Sequence, residues 1–168
     1  MKRIILFSIM LISFAGLRAQ KFGYVDTEYI LKKVPAYKSA QDQLDKLSAQ
    51  YQKEVESKYK AVDDLFKKYQ SEKVLLTEDM RQKRENEIVT REKEVKELQK
   101  TYFSPEGSLA KKREELLKPV QDKVYTAIKD IASDGSYATI FDVANNPGMI
   151  YNNPRFDLSD KVLEKMGI

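Results

Sequence analysis

Three residue types that often carry chemistry are missing from this 168-residue chain, which has no cysteine, no histidine and no tryptophan. Without cysteine there is no disulfide and no thiol nucleophile, and without histidine there is no Ser-His-Asp triad. Zinc sites of the usual cysteine and histidine kind are excluded for the same reason. Glycine and proline are scarce, with six and five residues. This scarcity, together with abundant lysine, glutamate, leucine and glutamine, predicts long helices.

The glycine-rich motifs of nucleotide-binding proteins are also missing. None of the patterns G-x-x-x-x-G-K, G-x-G-x-x-G and G-x-S-x-G occurs, which argues against an ATP-driven machine or a dinucleotide enzyme. Adjacent carboxylates occur at Asp63-Asp64 and Glu114-Glu115, but lysines three or four residues away make surface ion pairs the simpler explanation. We therefore predict no enzymatic activity, no cofactor and no metal site.

Positive charge is concentrated at the N-terminus. The chain has 30 basic and 26 acidic residues, a net charge of +4. Residues 1–19 contain Lys2, Arg3, Arg18 and no acid, so 27 basic and 26 acidic residues follow them, a net charge of +1. The alkaline character is thus mostly a property of the first segment. A nearly neutral remainder does not favour a nucleic-acid partner.

The first nineteen residues have the layout of a secretory signal peptide. A basic start precedes an apolar run over residues 4–16, and the small Ala19 offers a cleavage site. A retained membrane anchor is the alternative, but the run is shorter than the roughly 20 apolar residues that span a bilayer. We expect residues 1–19 to be removed, and the product to begin at Gln20 outside the cytoplasm as a soluble protein.

Short strands are predicted at both ends of the remaining chain. Residues 22–26, 137–143 and 149–151 are rich in aromatic and β-branched side chains and end at turn signals. Sheets of two or three short strands are marginal by themselves. We therefore predict that residues 20–35 and 119–168 form a three-stranded base that oligomerises. The apolar residues predicted to make the oligomer contacts are Tyr24, Val25, Ile140, Phe141, Val143 and Ile150.

A long helical segment separates the predicted strands. No glycine or proline lies between Tyr37 and Thr101, and apolar residues recur there every three or four positions, as in a helix with a heptad seam. A single helix of this length would have no core of its own, so a reversal is needed. Thr77 follows an apolar cluster and precedes two acids, which predicts a helix N-cap and a hairpin tip at residues 74–80.

The predicted fold class is therefore α+β: a small three-stranded oligomerisation base with a long antiparallel helical hairpin, or coiled-coil tentacle, over residues 36–118. One continuous helix through the tip is the alternative. The sequence Ser104-Pro105-Glu106-Gly107 predicts a turn or kink in the returning helix, with Ser104 capping a restart at Pro105. Pro119 predicts a second kink.

An aromatic stripe runs along the predicted hairpin. A coiled-coil seam accounts for some of these residues, but tyrosine suits a tight seam poorly because its hydroxyl needs a partner. Apolar surface beyond the seam implies a partner or client protein. The candidate client-binding residues are Tyr51, Tyr59, Phe66, Tyr69, Tyr102 and Phe103.

The order and spacing of several short motifs resemble the Skp or OmpH family of periplasmic chaperones. The resemblance implies a periplasmic homotrimer whose three hairpins enclose a cavity. Known members hold unfolded outer-membrane proteins there, without ATP. The motifs that carry the resemblance are Gly23-Tyr24-Val25-Asp26, Tyr29-Ile30-Leu31 with Pro35, Lys38-Ser39-Ala40-Gln41, Leu76-Thr77-Glu78-Asp79, Leu116-Leu117-Lys118-Pro119-Val120 and Asp157-Leu158-Ser159-Asp160.

Two features depart from the family pattern. Residues 38–118 hold 19 basic and 17 acidic residues, so electrostatic capture of clients is weaker than in the strongly basic members. The Ser104–Gly107 break interrupts a helix that is continuous in the common pattern. A structural coiled-coil spacer of the cell envelope, with no unfolded clients, is the alternative function. A transient contact with a membrane surface is also open.

Overall fold

A computed structural model describes residues 20–144, 146 and 148–168. The predicted signal peptide, residues 1–19, lies outside these described residues. The described chain is mostly helical with one small sheet and divides into two compact units. One contains the chain up to Lys33 and from Lys123 onward, and the other contains Val34–Asp122.

The first unit is built around two parallel strands. Strand β1 (Lys21–Val25) pairs with β2 (Tyr137–Asp142), with Gly23 opposite Ile140 and Tyr24 opposite Phe141. Parallel strands cannot be joined by a tight hairpin turn and need a long connection between them. The helical segment between β1 and β2 provides that connection. The other edge of β1 is bordered by a bridge between Tyr24 and Asp157.

The predicted third strand is not formed. Residues 149–151 adopt no strand conformation, and the sheet has two strands instead of three. Strand β1 already has neighbours on both edges, β2 and Asp157, so it offers this segment no free edge. Ile150 is 99% exposed. Ile150 therefore does not pack against the sheet of its own chain.

Two short helices pack together in this unit. Helix α1 (Thr27–Lys33) lies against α5 (Ser159–Lys165). Asp26 caps α1, because its carboxylate accepts a hydrogen bond of 2.9 Å from the Tyr29 amide. Thr27 is therefore the first residue of the helix, and its hydroxyl donates to Asp142 at the end of β2. The buried apolar side chains of this unit include Val25, Ile30, Leu158, Val162 and Leu163.

The second unit is an antiparallel hairpin, as predicted. Helix α2 (Pro35–Glu72) continues into a 3-10 turn at Lys73–Leu75, and α3 (Glu78–Phe103) returns along it. Thr77 caps α3 through its hydroxyl, which accepts a hydrogen bond from the Met80 amide. The predicted hairpin tip is thus confirmed, and the single continuous helix is wrong.

The predicted break in the returning helix is also present, although its restart differs. Helix α3 ends at Phe103, and α4 (Ser108–Asp134) begins after Gly107 rather than at Pro105. The Gly107 amide donates to the Ser104 carbonyl, so residues 104–107 form a turn. A Cβ on Gly107 would lie 2.8 Å from the Tyr102 carbonyl oxygen. Only glycine fits this close approach. Helix α4 then continues through Pro119.

Candidate functional site

The two helices of the hairpin pack along a seam of buried apolar side chains, and the apolar side chains outside this seam remain at the surface. Helix α2 contributes Val55, Val62 and Tyr69, each seven residues apart, and α3 contributes Ile88 and Val95, also seven apart. These residues are buried and form one core cluster. A seven-residue spacing keeps side chains on one face of a helix, so this set is a coiled-coil seam.

Three of the candidate client-binding residues lie outside the seam and are substantially exposed. They are Tyr59 and Phe66 on α2 and Phe103 on α3. Tyr59 and Phe66 are seven residues apart, so they share one face of α2. The Tyr59 hydroxyl donates a 3.2 Å hydrogen bond to the Gln99 side-chain oxygen, which places this face beside the Gln99 side of α3. We call these three residues the aromatic flank.

The other aromatic candidates are used within the hairpin. Tyr69 is only 4% exposed and belongs to the seam cluster, so its burial does not support the prediction that it contacts clients. Its hydroxyl is satisfied by Glu85, which is how a tyrosine is accommodated in the seam. Tyr51 and Tyr102 are half-buried because their rings stack on one another across the two helices.

A second apolar surface lies on the opposite side of the seam, and sequence reasoning did not identify it. It is a groove of about 510 Å³ that includes Leu65 and Leu98. An ion pair between Arg91 and Glu94, with a 2.9 Å N–O distance, lies along it. The signal in the sequence was the position of Leu65 and Leu98, each three residues after a seam valine. The remaining lining residues are Lys58, Ala61, Val62 and Val95.

Two tyrosine hydroxyls in the hairpin donate hydrogen bonds to carboxylates, and their pKa values are raised. The hydrogen bond to Glu85, together with burial and the charge of that carboxylate, raises the pKa of Tyr69 above its ordinary value. The hydrogen bond to Glu54 raises the pKa of Tyr102 in the same way. In both cases a neutral hydroxyl donates to a charged acceptor, so loss of the proton is opposed.

The predicted oligomerisation residues are divided between core and surface. Val25 is 2% exposed and is buried within its own chain, which does not support the prediction that it contacts another subunit. Phe141 and Ile150 are exposed, while the remaining three are partly exposed. These three are Tyr24, Ile140 and Val143.

A cavity of about 680 Å³ lies at this surface of the strand-containing unit. Its walls include the exposed aromatic rings of Phe22, Phe141 and Tyr151. The side-chain oxygen of Asn152, which also lines the cavity, is buried without a hydrogen-bond partner among the described residues. The pKa of Tyr24 in the same wall is raised by burial and by Asp157. This surface therefore combines exposed aromatic rings with a hydrogen-bond acceptor that has no partner among the described residues.

Comparison with known proteins identifies this architecture. The family model for the outer membrane protein family (OmpH-like) matches residues 21–166. The chain belongs to the OmpH-like family. A relative from Aquifex aeolicus, described as an uncharacterized protein, is 28% identical over 145 residues, covering 86% of this chain and 85% of the relative.

A solved structure has the same fold as this OmpH-like chain. It is a crystal structure from Caulobacter crescentus CB15, described as a candidate outer membrane chaperone (OmpH-like). The two superpose with a TM-score of 0.70 at 14% sequence identity, covering 91% of this chain and 88% of the other. At this low sequence identity, the match shows a shared fold and nothing more specific.

Family membership assigns a chaperone-type role, because OmpH-like proteins are periplasmic outer-membrane chaperones and not enzymes. Among the described residues, no group of three or more acidic side chains is arranged so that it could hold a metal ion. Within the same part of the chain, no helix is both long and apolar enough to span a membrane.

Proposed function

We propose that this OmpH-like protein is an ATP-independent holdase of the periplasm that keeps unfolded outer-membrane β-barrel proteins from aggregating. In this proposal residues 1–19 direct secretion and are then removed. Three copies associate through their strand-containing units, and their hairpins enclose the client. The observation that carries the proposal is the aromatic flank, three large rings left at the hairpin surface after the seam is filled.

The physical basis is many weak contacts acting together. Burying one aromatic ring against a client contributes roughly 1–3 kcal/mol. Once one ring is bound, later contacts are effectively intramolecular, so several rings give tight but adaptable binding. Clients would then remain mobile inside the cavity. Such binding needs neither a catalytic group nor nucleotide hydrolysis.

Self-association is supported by two features of the strand-containing unit. Among the described residues β2 pairs only with β1, so its other edge can pair with another chain. The wall of the 680 Å³ cavity exposes Phe141, and its Asn152 side-chain oxygen has no donor among the described residues. We expect Phe141→Asp to convert the trimer into monomers in light scattering. A wild-type protein that is monomeric at micromolar concentration would exclude this part of the proposal.

The test of holding is suppression of aggregation of an unfolded β-barrel protein diluted from denaturant. We expect the wild-type protein to keep the client soluble, with or without ATP. The triple variant Tyr59→Ser, Phe66→Ser and Phe103→Ser is expected to lose most of this activity. Leucine at the same three positions is the matched control, because it preserves apolar surface, and it should retain most of the activity.

Circular dichroism and light scattering must show that both triple variants remain helical and oligomeric. If the serine variant still suppresses aggregation as well as the wild type, the aromatic flank is not the client surface. If the wild-type protein suppresses no aggregation at all, the protein is better explained as a structural spacer of the envelope.

A further inference from the structure

The residue that follows the predicted cleavage site, Gln20, lies just outside the sheet. Strand β1 begins at Lys21, which lies opposite Tyr137, so the sheet holds the chain only from the residue after Gln20. The Lys21 ammonium group donates a 3.1 Å hydrogen bond to the Gly135 carbonyl. Gln20 itself is exposed, and within the part of the chain that the structure describes its side-chain amide makes no hydrogen bond. The amide of Gln20 is therefore available for chemistry.

A glutamine at the N-terminus of a chain can react with its own α-amine. Once the bond between Ala19 and Gln20 is cut, attack of that amine on the Cδ atom closes a five-membered ring. The N–Cδ bond forms while the Cδ–Nε2 bond breaks, and Nε2 leaves as ammonia with the proton that the amine gives up. The product is a pyroglutamyl lactam. No oxidant, cofactor or second reactant is needed, and the proximity of the two groups on one residue favours the step.

The surroundings of Gln20 favour the neutral lactam over a charged α-ammonium group. Gln20 lines the cavity of about 680 Å³ in the strand-containing unit. Among the described residues that line this cavity, two are basic, Lys21 and Arg155, and none is acidic. A free N-terminus would add a further positive charge to this wall, where like charges repel and no carboxylate compensates them. Ring closure removes that charge and leaves an amide in its place.

We propose that Gln20 is the N-terminal residue of the secreted protein and is cyclised to pyroglutamate. The inference rests on the removal of residues 1–19 in the proposed function and does not depend on client holding. The lactam has no free amine, so it blocks the N-terminus against ordinary aminopeptidases. It also places an uncharged group on the cavity wall that exposes Phe141, the surface proposed for self-association.

The test uses the full chain, made with residues 1–19 and isolated from the periplasm of the organism that produces it. Directly after harvest, we expect the intact mass of residues 20–168 less the mass of one ammonia. Stepwise N-terminal sequencing should fail on this protein, because the lactam offers no free amine. Treatment with a pyroglutamyl aminopeptidase should remove the blocked residue and restore sequencing from Lys21. Gln20→Asn is the matched control, because it keeps a primary amide but would have to close a strained four-membered ring. This variant should have the full mass of its processed chain and a readable N-terminus.

The possible failures of this proposal can be told apart from failure of the proposed function. A wild-type protein with the full mass of residues 20–168 that sequences from Gln20 overturns the cyclisation and leaves secretion and client holding untouched. An N-terminus that is free at harvest and becomes blocked only on storage overturns it as well, and so does a blocked N-terminus in Gln20→Asn. A periplasmic chain that begins at another residue overturns the assignment of Gln20. A chain that retains residues 1–19 contradicts the proposed processing too.

Discussion

The ring of Tyr51 stacks on the ring of Tyr102 across the hairpin, with centroids 3.9 Å apart and planes inclined by 3°. Phe103 meets both rings edge-on at 6.4 Å. The Tyr102 hydroxyl donates a 3.0 Å hydrogen bond to Glu54 on α2. This cluster ties the end of α3 to α2 immediately before the break at residues 104–107, where the backbone of the returning helix is interrupted.

Replacing Tyr51 by leucine should weaken the hairpin, because it keeps an apolar side chain but removes the stacked ring. An aromatic pair contributes about 1 kcal/mol beyond the area that it buries. We expect the free energy of unfolding, measured by denaturant titration with circular dichroism, to fall by about this amount. Tyr51→Phe is the matched control and should lose far less. Equal losses in the two variants would show that stacking contributes nothing.

The seam assignment can be tested with two valines on α3. Val95 is 4% exposed in the core cluster, so Val95→Ala leaves a cavity and should lower the free energy of unfolding by about 2 kcal/mol. Val89→Ala removes the same atoms from an exposed position and should cost less than about 0.5 kcal/mol. A larger loss at Val89 than at Val95 would contradict the seam.

The raised pKa values of Tyr69 and Tyr102 predict a loss of stability at alkaline pH. Each folded-state pKa lies above the ordinary value of 10.0. Their contribution is therefore fully present below pH 10 and is lost as the pH rises through the folded-state pKa. We expect the unfolding midpoint of the wild type to fall above pH 10 toward that of the double variant Tyr69→Phe and Tyr102→Phe. A constant difference between the two proteins from about pH 8 to about pH 11 would contradict this.

Gly107, the one glycine in residues 36–118, is expected to tolerate substitution poorly. The Cβ of Gly107→Ala would lie within 3.0 Å of the Tyr102 and Thr101 carbonyl oxygens, so the backbone of the turn must shift. We expect a loss of about 1–3 kcal/mol in the free energy of unfolding. Gly148→Ala is the control, since its nearest contact would be the Asn146 side chain at 3.4 Å. Normal stability of Gly107→Ala would show that the turn rearranges freely.

Local patterns were sufficient to predict the hairpin. The spacing of apolar residues on α2, the Thr77 cap and the Ser104–Gly107 turn all depend on neighbours within a few residues, and each is present in the structure. Helical periodicity and capping are set by near neighbours along the chain, which is why they can be read from sequence. The OmpH-like family was likewise identified from the order of short motifs, and the family model confirms it.

Local patterns were not sufficient to predict the strand-containing unit or the exposed surfaces, because both depend on contacts between distant segments. Val25 and Tyr69 look like other apolar positions in the sequence, and only packing against remote elements buries them. Residues 149–151 do not form the predicted strand, and Asp157 instead lies at the second edge of β1, a pairing that has no local signature. The sequence by itself therefore determined the long helices, the Thr77 cap and the reversal of the chain. The tertiary structure alone decided which apolar side chains remain exposed, because burial is a property of non-local packing.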